Sequence, residues 1–313
     1  MLGNSTKDIV WAQKYRPSTL DELILPKRMK DTFQSFVDAG EVPNIILYGK
    51  PGTGKTSAVL AIMKMLGADY MMINGSTKNG IDTLRYDITD YASTVSMDGG
   101  RKYVIIDEAD ALTMKTQEGL RNAIESFSKN CSFIFTCNMQ NKIFAPLMSR
   151  FAEFEFSFSR EEHQQMQVQF FKRVKQILAS EEVEYDPKVV AQIVSRFYPD
   201  FRKTLVELQL FSSSGKIDES ALKSRGDIET LFSLLKEKKF KELREWVAAN
   251  SDLDTDMLYQ DIYEYGYDSI ELQSLPAFIV TLHDYQYKSS FVASEEINLM
   301  AFLSEIMVEC RFK

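Results

Sequence analysis

The chain has 313 residues, 44% hydrophobic and 26% charged, with 37 Lys and Arg against 45 Asp and Glu. That composition excludes disordered and fibrous classes, and the length calls for two or three domains. A net charge of −8 speaks first against nucleic-acid binding, because phosphates reward positive surfaces, but net charge is an average and binding is local.

In chain order, the first half alternates short β-type runs with helical stretches. The runs are Asn44–Tyr48, Tyr70–Ile73, Lys102–Ile106, Ser132–Thr136 and Glu153–Phe158. Between them lie apolar residues at helical spacing, such as Val59, Ile62, Met63 and Leu66, or Leu120, Ala123, Ile124 and Phe127. Nearly continuous apolar strands alternating with helices predict an α/β fold with a parallel five-stranded sheet covered on both faces. After about Ser159 the strand pattern stops. Helices are expected over Glu161–Ala179, Pro187–Phe197 and Asp200–Ser213, the last broken by the Ser-Ser-Ser-Gly run at 212–215. A further helical group follows, near 229–238, 240–249, 255–266, 275–288 and 294–310. Three units are expected: an α/β domain over 1–159, a small helical domain over 160–226 and a helical bundle over 227–313.

The charge divides unevenly between them. Residues 229–313 hold 16 acidic and 8 basic side chains, and the other 228 residues hold 29 of each sign. The acidity therefore belongs to the C-terminal bundle. The three cysteines, Cys131, Cys137 and Cys310, form no CxxC pair and are read as buried thiols of a reducing compartment. With only His163 and His283 present, His-rich metal sites and His-dependent triads lose support. No signal pattern opens the chain and no apolar run approaches the ~18 residues of a membrane span, so a cytoplasmic, membrane-free protein is expected.

The strongest chemical signal is Gly49-Lys50-Pro51-Gly52-Thr53-Gly54-Lys55-Thr56, a complete GxxxxGK[ST] between a predicted strand and a predicted helix. Its glycines let successive N–H groups turn inward toward phosphate, and the following helix adds its N-terminus. Pro51, Thr53 and Ser57 belong to the same nucleotide-binding loop. Lys55 supplies a point charge for the β- and γ-phosphates, and Thr56 a hydroxyl for Mg²⁺. The second signal is the apolar strand running into Asp107-Glu108-Ala109-Asp110, which puts carboxylates at the carboxyl edge of the sheet. Asp107 would hold Mg²⁺ through water and Glu108 would orient and deprotonate the attacking water. Asn138, closing the next strand, would hold that water, although an Asn opening a turn is common. Together these features favour ATP hydrolysis over storage.

With these residues, the sequence resembles the AAA+ ATPases, and specifically sliding-clamp-loader subunits of the replication-factor-C small-subunit kind, the phage members above all. The resemblance spans roughly residues 11–215. It rests on Lys14-Tyr15-Arg16-Pro17-Ser18-Thr19-Leu20-Asp21-Glu22-Leu23-Ile24, on Ser149-Arg150-Phe151 where the family has Ser-Arg-Cys, and on Pro199-Asp200-Phe201-Arg202-Lys203-Thr204-Leu205, similar to the sensor 2 helix. It implies an AAA+ P-loop domain, a helical lid and a C-terminal oligomerisation collar. It further implies Arg150 as an arginine finger acting in trans and Arg202 as a γ-phosphate contact in cis. Tyr15, Arg16 and Pro17 would flank the adenine, with Ile24 and Leu25 as apolar lining. The bacterial branch carries a cysteine-bound zinc module that these three cysteines cannot build.

The implied partners are copies of this chain in a ring or spiral, a smaller and different loader subunit, a sliding clamp, and primer–template DNA. DNA contacts in such a spiral go mainly to phosphates, which makes Lys78, Arg85 and Lys115 candidates, each otherwise a solvated charge. Gln117 and Arg121, four apart, read either as the polar border of an amphipathic helix or as a junction linking the acidic pair to neighbouring subunit and DNA. Ala111–Thr116 is a candidate clamp contact, with Leu112 and Met114 as exposed anchors or as packing. Rival readings are a DEAD-type helicase, a scaffold that binds ATP without hydrolysing it, and a branch-migration ATPase. The helical second half opposes the first, the intact Glu108 and Arg150 the second, and the acidic C-terminus the third.

Overall fold

A computed structural model describes residues 10–77, 81–94, 100–213, 215–218, 228–250 and 255–313, without the side chains of 81–85, 256 and 257. Two compact units emerge, Met1–Ile217 and Asp218–Lys313.

The first unit opens with α1 (Trp11–Lys14) and α2 (Lys27–Ala39) and continues through β1 (Ile45–Tyr48), α3 (Lys55–Leu66), β2 (Tyr70–Asn74), α4 (Ile81–Ser93) and β3 (Lys102–Asp107). It goes on through α5 (Met114–Ser126), β4 (Cys131–Cys137), α6 (Ala145–Met148) and β5 (Ala152–Glu155). The five strands form one parallel sheet in the order β2-β3-β4-β1-β5. Strand alternation sends Ile45 and Leu47 to one face and Ile46 to the other. On the first face they meet Phe33 of α2 and Val59, Ile62 and Met63 of α3. On the other, Ile46, Val104, Ile106, Phe133 and Phe135 meet Ile88 of α4 and Leu120 and Ile124 of α5. β4 is buried from end to end, as an apolar strand covered on both faces should be. Each such aliphatic side chain contributes about 1.5–3 kcal/mol relative to exposure.

This strand order positions the site. The chain leaves β1 in the interior, crosses to the edge strand β2, and returns through β3 and β4 to β1. The loops after β1, β3 and β4 thus gather at one carboxyl edge, where open α/β sheets bind ligands.

Beyond the sheet lie α7 (Arg160–Ser180), α8 (Pro187–Phe197) and α9 (Phe201–Ser212). Ser159 and Glu162 close a reciprocal capping box at the start of α7. The second unit contains α10 (Ile228–Lys236), α11 (Phe240–Ala249), α12 (Thr255–Ser269), α13 (Leu275–Ser289) and α14 (Glu295–Glu309), packed around Leu231, Leu243, Ile262, Phe278, Phe302 and Leu303. The buried amide of Asn298 is satisfied: Nδ2 donates to Tyr259 OH and to the Tyr285 carbonyl, both at 3.0 Å.

Two expectations need correction. The fifth strand ends at Glu155 rather than Phe158, because it is a short edge strand whose only partner, β1, ends at Tyr48. Strand pairing also does not stop at Ser159: Glu184–Tyr185 (β6) pairs in parallel with Lys216–Ile217 (β7), two residues each and too short to read as a period. The three cysteines are buried free thiols, as expected, and burial pushes Cys131 and Cys310 up to about 11 and Cys137 to about 12.

Candidate functional site

Between β1 and α3 the backbone curls through Gly52 (φ +72°) and Gly54 (φ +95°), left-handed positions that disfavour side chains. Gly54 is the N-cap of α3, so Lys55 and Thr56 open that helix where its N–H groups and dipole favour an anion. Lys55 is 7% exposed, and burial pulls its ammonium below the usual lysine range. Its Nζ donates to the carbonyls of Gly49 and Lys50, both at 2.7 Å, and to Asn138 Oδ1 at 3.0 Å. Thr56 Oγ1 donates to Asp107 Oδ1 at 2.7 Å, tying the loop to the end of β3.

Asp107 Oδ1 also accepts from the hydroxyl of Thr136 on β4, whose oxygen lies 3.3 Å from the Glu108 amide. Glu108 itself holds φ +56°, a left-handed position rare for a side chain with a Cβ. Gly75 makes room for it: a Cβ there would stand 2.5 Å from the Glu108 carbonyl oxygen. Asp110 has a different task from its two acidic neighbours. Its Oδ2 accepts from the amides of Asn138 (3.2 Å) and Met139 (3.1 Å), bracing the loop that carries Asn138.

Gly52, Gly54, Lys55, Thr56, Asp107, Glu108, Thr136 and Asn138 line one cleft, open to solvent. Tyr15, Arg16, Pro17, Ile24 and Leu25 line it as well, with Pro51, Thr53, Ser57 and Arg202. Arg202 stands two residues past Asp200, the N-cap of α9, whose Oδ1 accepts from the Lys203 amide at 2.8 Å. The amide of Phe201 donates to the Gly52 carbonyl at 3.1 Å, so the start of α9 is fastened to the phosphate-binding loop. Sequence reasoning missed Phe170, Arg173 and Ile177, which enter the cleft from α7. Their spacing of three and four is a helical face, but alone it reads as ordinary core. It also missed Thr136 and the bracing role of Asp110.

Other expected residues lie elsewhere. Gly49 is outside the cleft lining, packed against Phe156, though its carbonyl holds Lys55. Arg150 is absent from the lining of its own chain's cleft: its Nε donates to Glu125 Oε1 at 2.9 Å, Nη2 contacts the same oxygen, and Nη1 meets the Pro146 carbonyl. Phe151 beside it fills the core against Phe135, ring centroids 4.6 Å apart, which accounts for an aromatic at that position. Lys115 is exposed on the first turn of α5. Lys78 and the Arg85 side chain lie outside the described residues. Gln117 is not a polar border: it is 2% exposed. Its Nε2 donates to the carbonyls of Leu112 (3.1 Å) and Lys142 (3.0 Å), and its Oε1 accepts from the Phe144 amide (2.7 Å). Arg121 is half-buried, with Nε unpaired. Leu112 is 5% exposed and packs inside, so of the two supposed anchors only Met114, at 56%, is on the surface. Among the described residues no cluster of potential metal-ligating side chains appears, and no helix is long and apolar enough to cross a membrane.

A parallel sheet in this order, a glycine loop capping α3, an acidic strand end and a helical lid carrying an arginine define an AAA-class ATPase. The sequence model of the "ATPase family associated with various cellular activities (AAA)" matches residues 45–159. That of the "sliding-clamp-loader large subunit, AAA+ ATPase lid domain" matches residues 162–223. The chain is 35% identical over 321 aligned residues to the sliding-clamp-loader large subunit of Enterobacteria phage T4, covering 100% of each. It is 38% identical over 275 residues to that of Escherichia phage RB69, covering 84% of this chain and 86% of the relative. The replication factor C small subunit of Saccharolobus solfataricus is 31% identical over 98% of this chain and 97% of its own. Among solved structures, the Holliday junction branch migration motor RuvB of Thermotoga maritima shares the fold, with a TM-score of 0.56 at 19% identity over 80% of this chain and 92% of that one. The chain belongs to the clamp-loader family of AAA ATPases that includes the phage large subunits and the replication factor C small subunits.

Proposed function

We propose that this chain is the ATP-hydrolysing subunit of a sliding-clamp loader, which opens a ring-shaped clamp and places it on primer–template DNA in the host cytoplasm of a phage infection. The single observation that carries this reading is similarity to phage clamp-loader large subunits along the whole chain, supported by Lys55, Thr56, Asp107, Glu108 and Asn138 lining one cleft. The working unit is several copies of this chain with a smaller, different loader subunit. The division of labour is an ATPase domain over 1–159, a lid over 160–226 and an acidic collar over 227–313.

In the cleft, Lys55 and the amides at the start of α3 bind the β- and γ-phosphates. Thr56 Oγ1 and Asp107 Oδ1, two hard oxygens 2.7 Å apart, suit Mg²⁺, which when bound neutralises phosphate charge. Asp107 would hold the ion through water. Glu108 takes the proton of the attacking water and Asn138 orients that water. Arg202 contacts the γ-phosphate from the lid, coupling the lid to the state of the nucleotide. Arg150, absent from the lining of its own chain's cleft, serves the site of a neighbouring copy, where a guanidinium stabilises charge developing in the transition state. Release of the closed clamp on DNA follows hydrolysis.

The test is ATPase activity of the assembled complex with and without primed DNA and a clamp. Glu108→Gln is expected to keep ATP binding and clamp opening and to lose at least ~100-fold in turnover. Normal turnover in that variant would remove Glu108 as the general base, and no effect of primed DNA on the parent would remove the clamp-loader reading.

A further inference from the structure

Glu181 lies outside every motif of the nucleotide site, one residue past α7, yet it is where the N-terminal segment and the lid meet. Its Oε1 accepts from Lys14 Nζ at 2.6 Å and from the phenol of Tyr15. Lys14 Nζ also stands 5.3 Å from the Tyr15 ring centroid, so ammonium, carboxylate and ring close a triangle. The pair is partly shielded from water, with side-chain exposures of 34% for Lys14 and 20% for Glu181. A second fastening lies one turn earlier: the Trp11 amide donates to Gln209 Oε1 on α9 at 2.8 Å, and the Trp11 side chain is buried. Among the described residues, long-range hydrogen bonds thus tie Trp11 to α9 and Lys14 and Tyr15 to Glu181, just past α7.

Tyr15 lines the nucleotide cleft, as do Ile24, Leu25, Phe170 and Ile177. An aromatic face among aliphatic groups is the surface a purine ring requires. Such a ring contributes to binding only if it is held in place before the ligand arrives. The carboxylate of Glu181 does that, through a hydrogen bond to the phenol and a charge-assisted one to the adjoining lysine.

We propose that Glu181 is a positioning residue for ATP binding, fixing Tyr15 at the base end of the cleft and making residues 11–17 part of the lid. This rests on the reading of Tyr15, Arg16 and Pro17 as the base-end lining.

The experiment is equilibrium binding of ATP to the full chain, with inorganic tripolyphosphate as a competing ligand that has phosphates but no base. Glu181→Ala is expected to weaken ATP about ten-fold, the size of one charge-assisted hydrogen bond lost from a part-buried place, and to leave tripolyphosphate within about two-fold. Turnover at saturating ATP should hold within about two-fold, so KM moves and kcat does not. Tyr15→Phe, which removes the phenol without altering charge, should weaken ATP several-fold and add nothing further in the Glu181→Ala background. Glu181→Gln keeps an acceptor for the phenol and should fall between Glu181→Ala and the parent. Unchanged ATP affinity in Glu181→Ala, equal weakening of both ligands, or full additivity with Tyr15→Phe overturns the proposal. Tyr15→Ala separates the two levels: normal ATP affinity there defeats the base-end reading itself, whereas a Tyr15 effect without a Glu181 effect defeats only the positioning role.

Discussion

Gly52→Ala probes the joint between phosphate loop and lid. At φ +72° an alanine costs roughly 1–2 kcal/mol in backbone strain alone. A Cβ built there also stands 1.9 Å from Asp200 Oδ1. Asp200 is the N-cap of α9, so escaping that contact means turning the carboxylate away from the Lys203 amide and losing about 0.5–2 kcal/mol of capping. The two effects together predict a loss of about 2–3 kcal/mol from the first unit. At ~2–4 °C per kcal/mol for a unit of this size, its melting temperature should fall by about 5–10 °C. Asp200→Ala alone loses the cap and should cost about 1 kcal/mol. In that background the clash is gone, and Gly52→Ala should then cost only its backbone strain, leaving a coupling of about 1 kcal/mol between the positions. Urea unfolding of the four proteins, followed by a probe in the first unit, measures each term. If Gly52→Ala costs the same with and without Asp200, the clash does not set the cost and the proposed joint between loop and lid is wrong.

Mixing two variants that are each inactive tests Arg150. Arg150→Ala keeps its own cleft and Lys55→Ala keeps its finger, so one-to-one mixed assemblies should recover about a quarter of wild-type turnover if the finger acts in trans, and none if it acts in cis. Gln117→Ala strands two carbonyls and one amide, and the ratio of DNA-stimulated to basal turnover should fall about ten-fold; an unchanged ratio would remove any coupling role for Gln117. The Arg28 guanidinium, 2.7 Å from Glu162, together with the Ser159 amide, holds the Glu162 carboxyl below the usual carboxylate range. A depressed folded-state value means stability that is present above the ordinary value of 4.5 and lost as pH falls through the folded one. Glu162→Gln, which keeps an acceptor for the cap, should therefore be less stable than the parent at pH 7 and approach it in acid, as thermal melts across that range would show; a gap independent of pH would contradict the ion pair.

Much of the fold and of the phosphate end was legible because each part is local. A glycine loop between strand and helix, or a carboxylate pair ending an apolar strand, carries its chemistry within eight residues. What escaped depends on distant groups sharing one atom. Asp110 looked like the third acid of a run, and only the fold shows its Oδ2 under the amides of Asn138 and Met139. Gln117 lies beside an apolar stripe and reads as its border or as a junction, since helical spacing cannot tell a rim from an interior position closed by another segment. Phe170, Arg173 and Ile177 share a helix with the core residues Met166 and Val174, and periodicity gives both sets the same signature.

On the proposed reading of the site, the bonds of Lys55 join binding and hydrolysis in one side chain. An ammonium has three protons, and all three are engaged, by the carbonyls of Gly49 and Lys50 and by Asn138 Oδ1. A phosphate oxygen can reach Lys55 only by exchange with one of these acceptors. The two carbonyls belong to the loop's own curl, whereas the Asn138 bond crosses from another strand. Asn138 is also the partner whose backbone stays fixed without it, because Asp110 holds its amide. The exchange that disturbs least therefore releases the Asn138 side chain while its main chain stays in place. Its Oδ1 is then free to accept from water only once phosphate has replaced it at Lys55. Asn138→Ala would remove the side-chain amide without placing a charge beside phosphate, so ATP affinity should change little while turnover falls, and unchanged turnover would refute this role.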